Sequence, residues 1–70
     1  MTYIILLTSI TYVYKSQNIL RSNGIKSCVT KLQARSSRRG CGYGLEVRDR
    51  DLAEATRLLE EERIKIVEVI

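Results

Sequence analysis

The sequence predicts an α+β domain of the split βαβ, ferredoxin-like kind, and three observations carry that reading. β-branched apolar segments occupy both ends of the chain, and two stretches of helical period lie between turn residues. The order along the chain is strand, helix, strand, strand, helix, strand. Two right-handed βα units in that order interleave into an antiparallel sheet of order 4-1-3-2 with both helices on one face. The 70 residues form a single domain, 1–70, because a chain this short buries only about 60% of its unfolded surface and cannot divide that between two cores.

Residues 3–7, Tyr-Ile-Ile-Leu-Leu, are apolar at alternating and intervening positions alike, which suits a central strand. Thr8 and Ser9 offer N-cap oxygens to a helix beginning at Ile10, and Gly24 supplies the left-handed residue that ends it. Val13, Ser16 and Leu20, with Ile10, share its inner face, leaving Lys15, Gln17 and Arg21 for water. Residues 25–32 alternate imperfectly, as a short edge strand does, and Lys26 and Lys31 discourage pairing with other chains. Residues 33–42 have neither period and read as the connection to the next strand, in which Tyr43, Leu45 and Val47 alternate with Gly44, Glu46 and Arg48. Asp49 or Asp51 is placed to cap a second helix, with Glu54 in the position of a capping-box acid after Asp51. Leu52, Ala55 and Leu59 form its buried stripe, flanked by Leu58. The acids at 60–62 oppose the helix dipole, so the helix stops there. Residues 64–70 are the closing strand.

Because the first and last strands are apolar on both faces, the sheet face away from the helices is expected to be apolar, and self-association through it follows. The first apolar run is far shorter than the ~20 residues that span a bilayer, and no basic leader precedes it, so no membrane is involved and a cytoplasmic location is expected. The net charge of +4 conceals an asymmetry: every Asp and Glu lies at or after Glu46. The basic half either meets an anionic partner or lies beside the acidic helix within the domain.

There is no histidine and there are two cysteines. Ser-His and Cys-His nucleophile pairs are excluded, no usual zinc spacing is present, and neither a metal nor a cofactor is expected. The chain reads as a non-enzyme. Residues 40–44, Gly-Cys-Gly-Tyr-Gly, resemble a dinucleotide fingerprint superficially, yet no helix follows them. Attention falls instead on Cys41, flanked by Gly40 and Gly42, with Arg35, Arg38 and Arg39 close in sequence. Positive charge favours the thiolate, and flanking glycines leave the sulfur and the backbone amides accessible. From spacing alone, a reactive Cys41 and a small space-filling Cys41 both stand. Cys28 reads as a buried structural residue in an edge strand, and a Cys28–Cys41 disulfide depends on a separation that spacing does not give. Nucleic-acid binding is disfavoured, because Tyr3 and Tyr43 are the only strand aromatics and no Arg-Gly-Phe type motif occurs.

The chain resembles the putative Se/S carrier protein-like family, small bacterial and archaeal proteins, over essentially its whole length. The resemblance rests on the opening Tyr-Ile-Ile-Leu-Leu strand, the helix end Ser22-Asn23-Gly24-Ile25, the Cys41-Gly42 pair leading to Leu45, Asp51-Leu52 with Ala55 and Leu59, and the final Ile-Val strand. It implies that Cys41 is the carrier thiol, relaying sulfur or selenium as a persulfide or selenosulfide between donor and acceptor proteins. Arg35 falls at the spacing of the family arginine, whereas Ala34 stands where proline is usual and Arg38 and Arg39 replace serines. Two readings from other classes remain: a binding module whose basic loop 35–39 holds an anionic partner or nucleic acid, and a small structural oligomer.

Overall fold

A computed structural model describes residues 1–31 and 42–70. The elements are β1 (Thr2–Leu7), α1 (Ile10–Ser22), β2 (Cys28–Lys31), β3 (Tyr43–Arg48), α2 (Asp49–Glu61) and β4 (Ile66–Val69). The four strands form one antiparallel sheet in the order β2-β3-β1-β4, the predicted order read from its other edge. β1 is central, as its double apolar character requires. Its residues Thr2 to Leu6 pair with Arg48 to Gly44 of β3, and on the other side Ile5, Leu6 and Leu7 pair with Val69, Glu68 and Ile66 of β4. The register shifts between Leu6 and Leu7, a bulge that takes up one extra residue of β4. Cys28 to Lys31 pair with Glu46 to Tyr43.

Strand alternation divides the sheet cleanly. Ile5, Leu7, Leu45 and Val47 point toward the helices and join Val13 and Leu20 of α1 and Ala55, Leu58 and Leu59 of α2 in one core. Leu52 is half-buried against that core. Ser16 lies fully buried among these residues with its hydroxyl lacking a hydrogen-bond partner.

Both helices end in the same device. At α1, Gly24 adopts φ 79° while its N–H donates to the Arg21 carbonyl at 3.1 Å and the Ile25 N–H reaches back to the Leu20 carbonyl at 2.9 Å. This is a Schellman cap, and Ile25, only 6% exposed, packs into the core beside Leu20. Ile25 therefore belongs to the cap, and β2 starts three residues later than the sequence pattern suggests. At α2, Arg63 takes the left-handed role at φ 60°, and the Ile64 N–H donates to the Leu59 carbonyl at 2.9 Å. Ile64 is buried by that turn, so β4 begins at Ile66.

The helix beginnings differ. Ser9 caps α1, its Oγ accepting from the Tyr12 N–H at 3.4 Å. The expected Asp cap of α2 is not formed: Arg48 is the N-cap residue and makes no side-chain capping bond. Asp49 and Asp51 lie one position and three positions inside the helix, where their charge still favours the positive end of the dipole. Glu54, expected in a capping box, turns toward Arg57 instead. The Arg57 guanidinium donates to both Glu54 oxygens, at 3.0 and 2.6 Å, and also to Glu61. The hydrogen bond from Arg57 holds the Glu54 carboxyl below its ordinary range, and the same contact raises Arg57.

The sheet face away from the helices is mixed rather than apolar. Ile4 and Leu6 share it with Thr2, Cys28, Thr30, Glu46, Arg48 and Glu68. Leu6 is fully buried, and the exposed large apolar residues among those described are Met1, Tyr12, Tyr14, Val69 and Ile70. Gly44 explains part of this. A Cβ there would lie 2.5 Å from Ile4 Cγ2 and 3.2 Å from Leu6 Cδ2, so the missing side chain lets both residues lie down over β3.

Candidate functional site

Of the residues marked out in the sequence, Arg35, Arg38, Arg39, Gly40 and Cys41 lie outside the described residues. Gly42, the next residue after Cys41, is described and exposed at the start of β3. Gly42 marks one end of the sheet.

The pairing of Lys31 with Tyr43 closes the β2–β3 ladder at this end. Because β1 runs antiparallel to β3 and Leu6 faces Gly44, the turn from β1 into α1, Thr8 and Ser9, lies at the same end as Gly42. The N-terminus of α1 begins there. Its first turn holds no acidic residue, so the partial positive charge of the helix end is not offset by its own side chains. Lys31, exposed at the end of β2, adds a full positive charge. A helix N-terminus and cations are the two surroundings that favour a thiolate over a thiol.

Cys28 does not occupy the buried position expected of it. It is exposed and free at the opposite end of the ladder, where it pairs with Glu46. Three steps of strand, about 10 Å, separate it from Lys31 and from the point where the connection 32–41 leaves. A disulfide needs Cα atoms within about 7 Å, so the ladder does not draw Cys28 toward that connection. Its surroundings are a second basic cluster: Arg21 at the end of α1, Lys26 in the following turn, and Arg48 and Arg50 at the start of α2. All four are exposed. The sequence signal for this cluster was present in Lys26-Ser27-Cys28, but only the fold brings Arg48 beside it.

Pairing between the halves does not resolve the charge asymmetry among the described residues. Among the described residues both ion pairs lie within α2, from Arg57 to Glu54 and to Glu61. The two strand tyrosines are also placed away from any stacking platform. Tyr3 and Tyr43 follow the alternation of Ile5 and Leu45 onto the helix side, and Tyr43 packs against the core. RNA-binding sheets of this topology stack bases on aromatics of the open face.

Among the described residues no group of three or more His, Cys, Asp or Glu gathers to hold a metal ion, and no helix is long and apolar enough to cross a membrane. No curated protein and no solved structure matches the chain. The model of one family does match, over residues 2–70. The chain belongs to the putative Se/S carrier protein-like family.

Proposed function

We propose that the protein is a sulfur or selenium carrier whose cargo rides on Cys41. The observation that carries this reading is the family match over residues 2–70, which spans the Cys41-Gly42 pair. The positive end of α1 and Lys31, at the end of the sheet where Gly42 enters β3, support it. Arg35, Arg38 and Arg39 add positive charge within six residues of Cys41 in the sequence and stabilise the anionic forms of the cargo.

The chemistry is thiol exchange. The Cys41 thiolate attacks the outer sulfur of a donor persulfide, R–S–SH, a Cys41 S–S bond forms, the donor S–S bond breaks, and R–S⁻ leaves. Delivery to an acceptor thiol is the same step in reverse, so no electrons are gained or lost overall. The selenium version replaces the outer sulfur. Docking of donor and acceptor proteins supplies the specificity.

Incubating the reduced protein with a small-molecule persulfide and mapping perthiols by mass spectrometry tests this directly. The perthiol maps to Cys41, which gives its sulfur to an added thiol, and Cys41→Ser leaves only the slower uptake of the exposed Cys28. Uptake as fast in Cys41→Ser as in the unchanged chain sinks the proposal.

A second reading is favoured by the cations left without ion-pair partners among the described residues: a binding module that holds an anionic macromolecule through residues 35–39. Replacing Arg35, Arg38 and Arg39 by Ala then removes a salt-sensitive interaction that Cys41→Ser leaves intact.

A further inference from the structure

The two edges of the sheet are unlike. Among the described residues no strand lies beyond β4, which closes the sheet on one side. Ile4 and Ile70 exchange both of their backbone N–H···O=C bonds, at 2.8 and 2.9 Å. Bonded positions alternate along an antiparallel ladder, so the N–H and C=O of Val69 turn away from β1, toward the open side. The side chains there are apolar and in water: Val69 is 38% and Ile70 42% exposed. Residues 66–70 carry one charge, that of Glu68, whereas β2 ends in Lys31 and follows Lys26. Lysines and bulges guard an edge against pairing. Those of β4, Lys65 and the bulge beside Ile66, stand at its start and leave residues 68–70 open.

We propose that this edge pairs with the same edge of a second copy of the chain, antiparallel about a two-fold axis through Val69. A second copy is the occupant because the strand is complementary to itself. A two-fold axis normal to the sheet keeps every residue on its own face, so Val69 meets Val69 of the second copy and each donates its N–H to the other's carbonyl. Glu68 then stands opposite Ile70 of the second copy. An axis through Glu68 would set two carboxylates directly opposite each other, which is destabilising, and an axis through Val67 would run the pairing into the bulge. Charge and backbone geometry thus select one register.

The Val69 side chains meet on the helix side, where Val69 lies beside Ile5, and both leave water. The sheet continues from one copy into the other. Gly42, at the start of β3 and two strands from this edge, stays exposed in both copies. Self-association therefore runs through the β4 edge and not through the mixed open face. Three paired residues on each side make a small contact, and the dimer is a weak one.

Sedimentation equilibrium of the full chain under reducing conditions tests this, since disulfide-linked dimers are then absent. The mass rises toward twice that of one chain between about 10 μM and about 1 mM, and the Val69 amide gains hydrogen-exchange protection over the same range. Val69→Pro removes only an outward N–H, so the ladder to β1 keeps its bonds, and Val69→Lys adds the guard that β2 already has. Each raises the concentration needed for dimer about tenfold or more. A single-chain mass throughout the range, a Val69 amide that exchanges equally fast at both ends of it, or a dimer that both variants leave intact overturns the proposal. None of these outcomes bears on Cys41.

Discussion

The two ends of the sheet present the same parts with different charge. At the Gly42 end a helix begins with no acid in its first turn, and the nearby full charge among the described residues is Lys31. At the Cys28 end a helix also begins, but Asp49 and Asp51 stand in its first turn among Arg21, Lys26, Arg48 and Arg50. A helix N-terminus already occupied by carboxylates does little for a further anion, whereas an open one retains its field. Cation number alone does not set the field at either end. A helix start free of its own carboxylates keeps its field for an added anion, however many cations lie near the other end.

The largest effect is expected where both ends depend on one core. Leu45 pairs with Ile5 and with Val29 at the middle of β3 and is fully buried. Leu45→Ala is expected to destabilise the fold by about 2–5 kcal/mol, measured by chemical denaturation. If the two ends belong to one cooperative unit, the backbone amides of β3 near Tyr43 and near Val47 lose hydrogen-exchange protection along the same unfolding curve. Separate curves break the comparison, because the ends would then be independent.

Next in size is a change that makes the cap of α2 resemble that of α1. Arg63 holds φ 60° at the end of α2, where α1 has Gly24. Arg63→Gly removes the cost of a left-handed side-chain-bearing residue and should stabilise by about 1 kcal/mol, seen as a higher denaturation midpoint. A loss of stability would mean that Arg63 makes contacts outweighing its backbone strain.

How much of this could be read in the sequence follows from which interactions are local. Ser9 and Gly24 were legible because a cap is set by residues within one turn of it. The strand order followed from connection rules and the doubly apolar Tyr3 to Leu7. The cap of α2 was not legible, since Asp49 and Asp51 both fit the cap position and the choice of Arg48 depends on where β3 must end to pair with Thr2. The exposure of Cys28 was equally hidden. Edge strands bury one face or the other, and only the register with Glu46 shows that Cys28 takes the side away from the helices. The apolar open face failed as an expectation because composition in β1 does not reveal that Gly44 opposite lets Ile4 and Leu6 lie flat.

A substitution of intermediate size tests the contrast itself. Thr11 is exposed in the first turn of α1. Thr11→Asp gives α1 the charge that α2 already has, and should stabilise the helix by about 0.5 kcal/mol while slowing alkylation of Cys41 near neutral pH. Faster alkylation would mean that the helix end does not act on the thiol.

The smallest effect lies in α2. Glu54 is held below its ordinary carboxylate range by Arg57, so its folded-state value is depressed relative to the unfolded chain. Its contribution is present above the unfolded value and is lost as pH falls through the folded one. Glu54→Gln should therefore flatten the acid limb of the stability curve slightly, and added salt should erase the difference, because the pair is solvent-exposed.

On the proposed reading the acid-free start of α1 and Lys31 act on the thiol that precedes Gly42 in the sequence. Alkylation rate against pH, assigned to each cysteine by mass spectrometry on the reduced protein, tests it most directly. Cys41 is expected to react well below the ~8.5 of a free thiol and before Cys28. A Cys41 that titrates as an ordinary thiol, or one slower than Cys28 throughout, would contradict it.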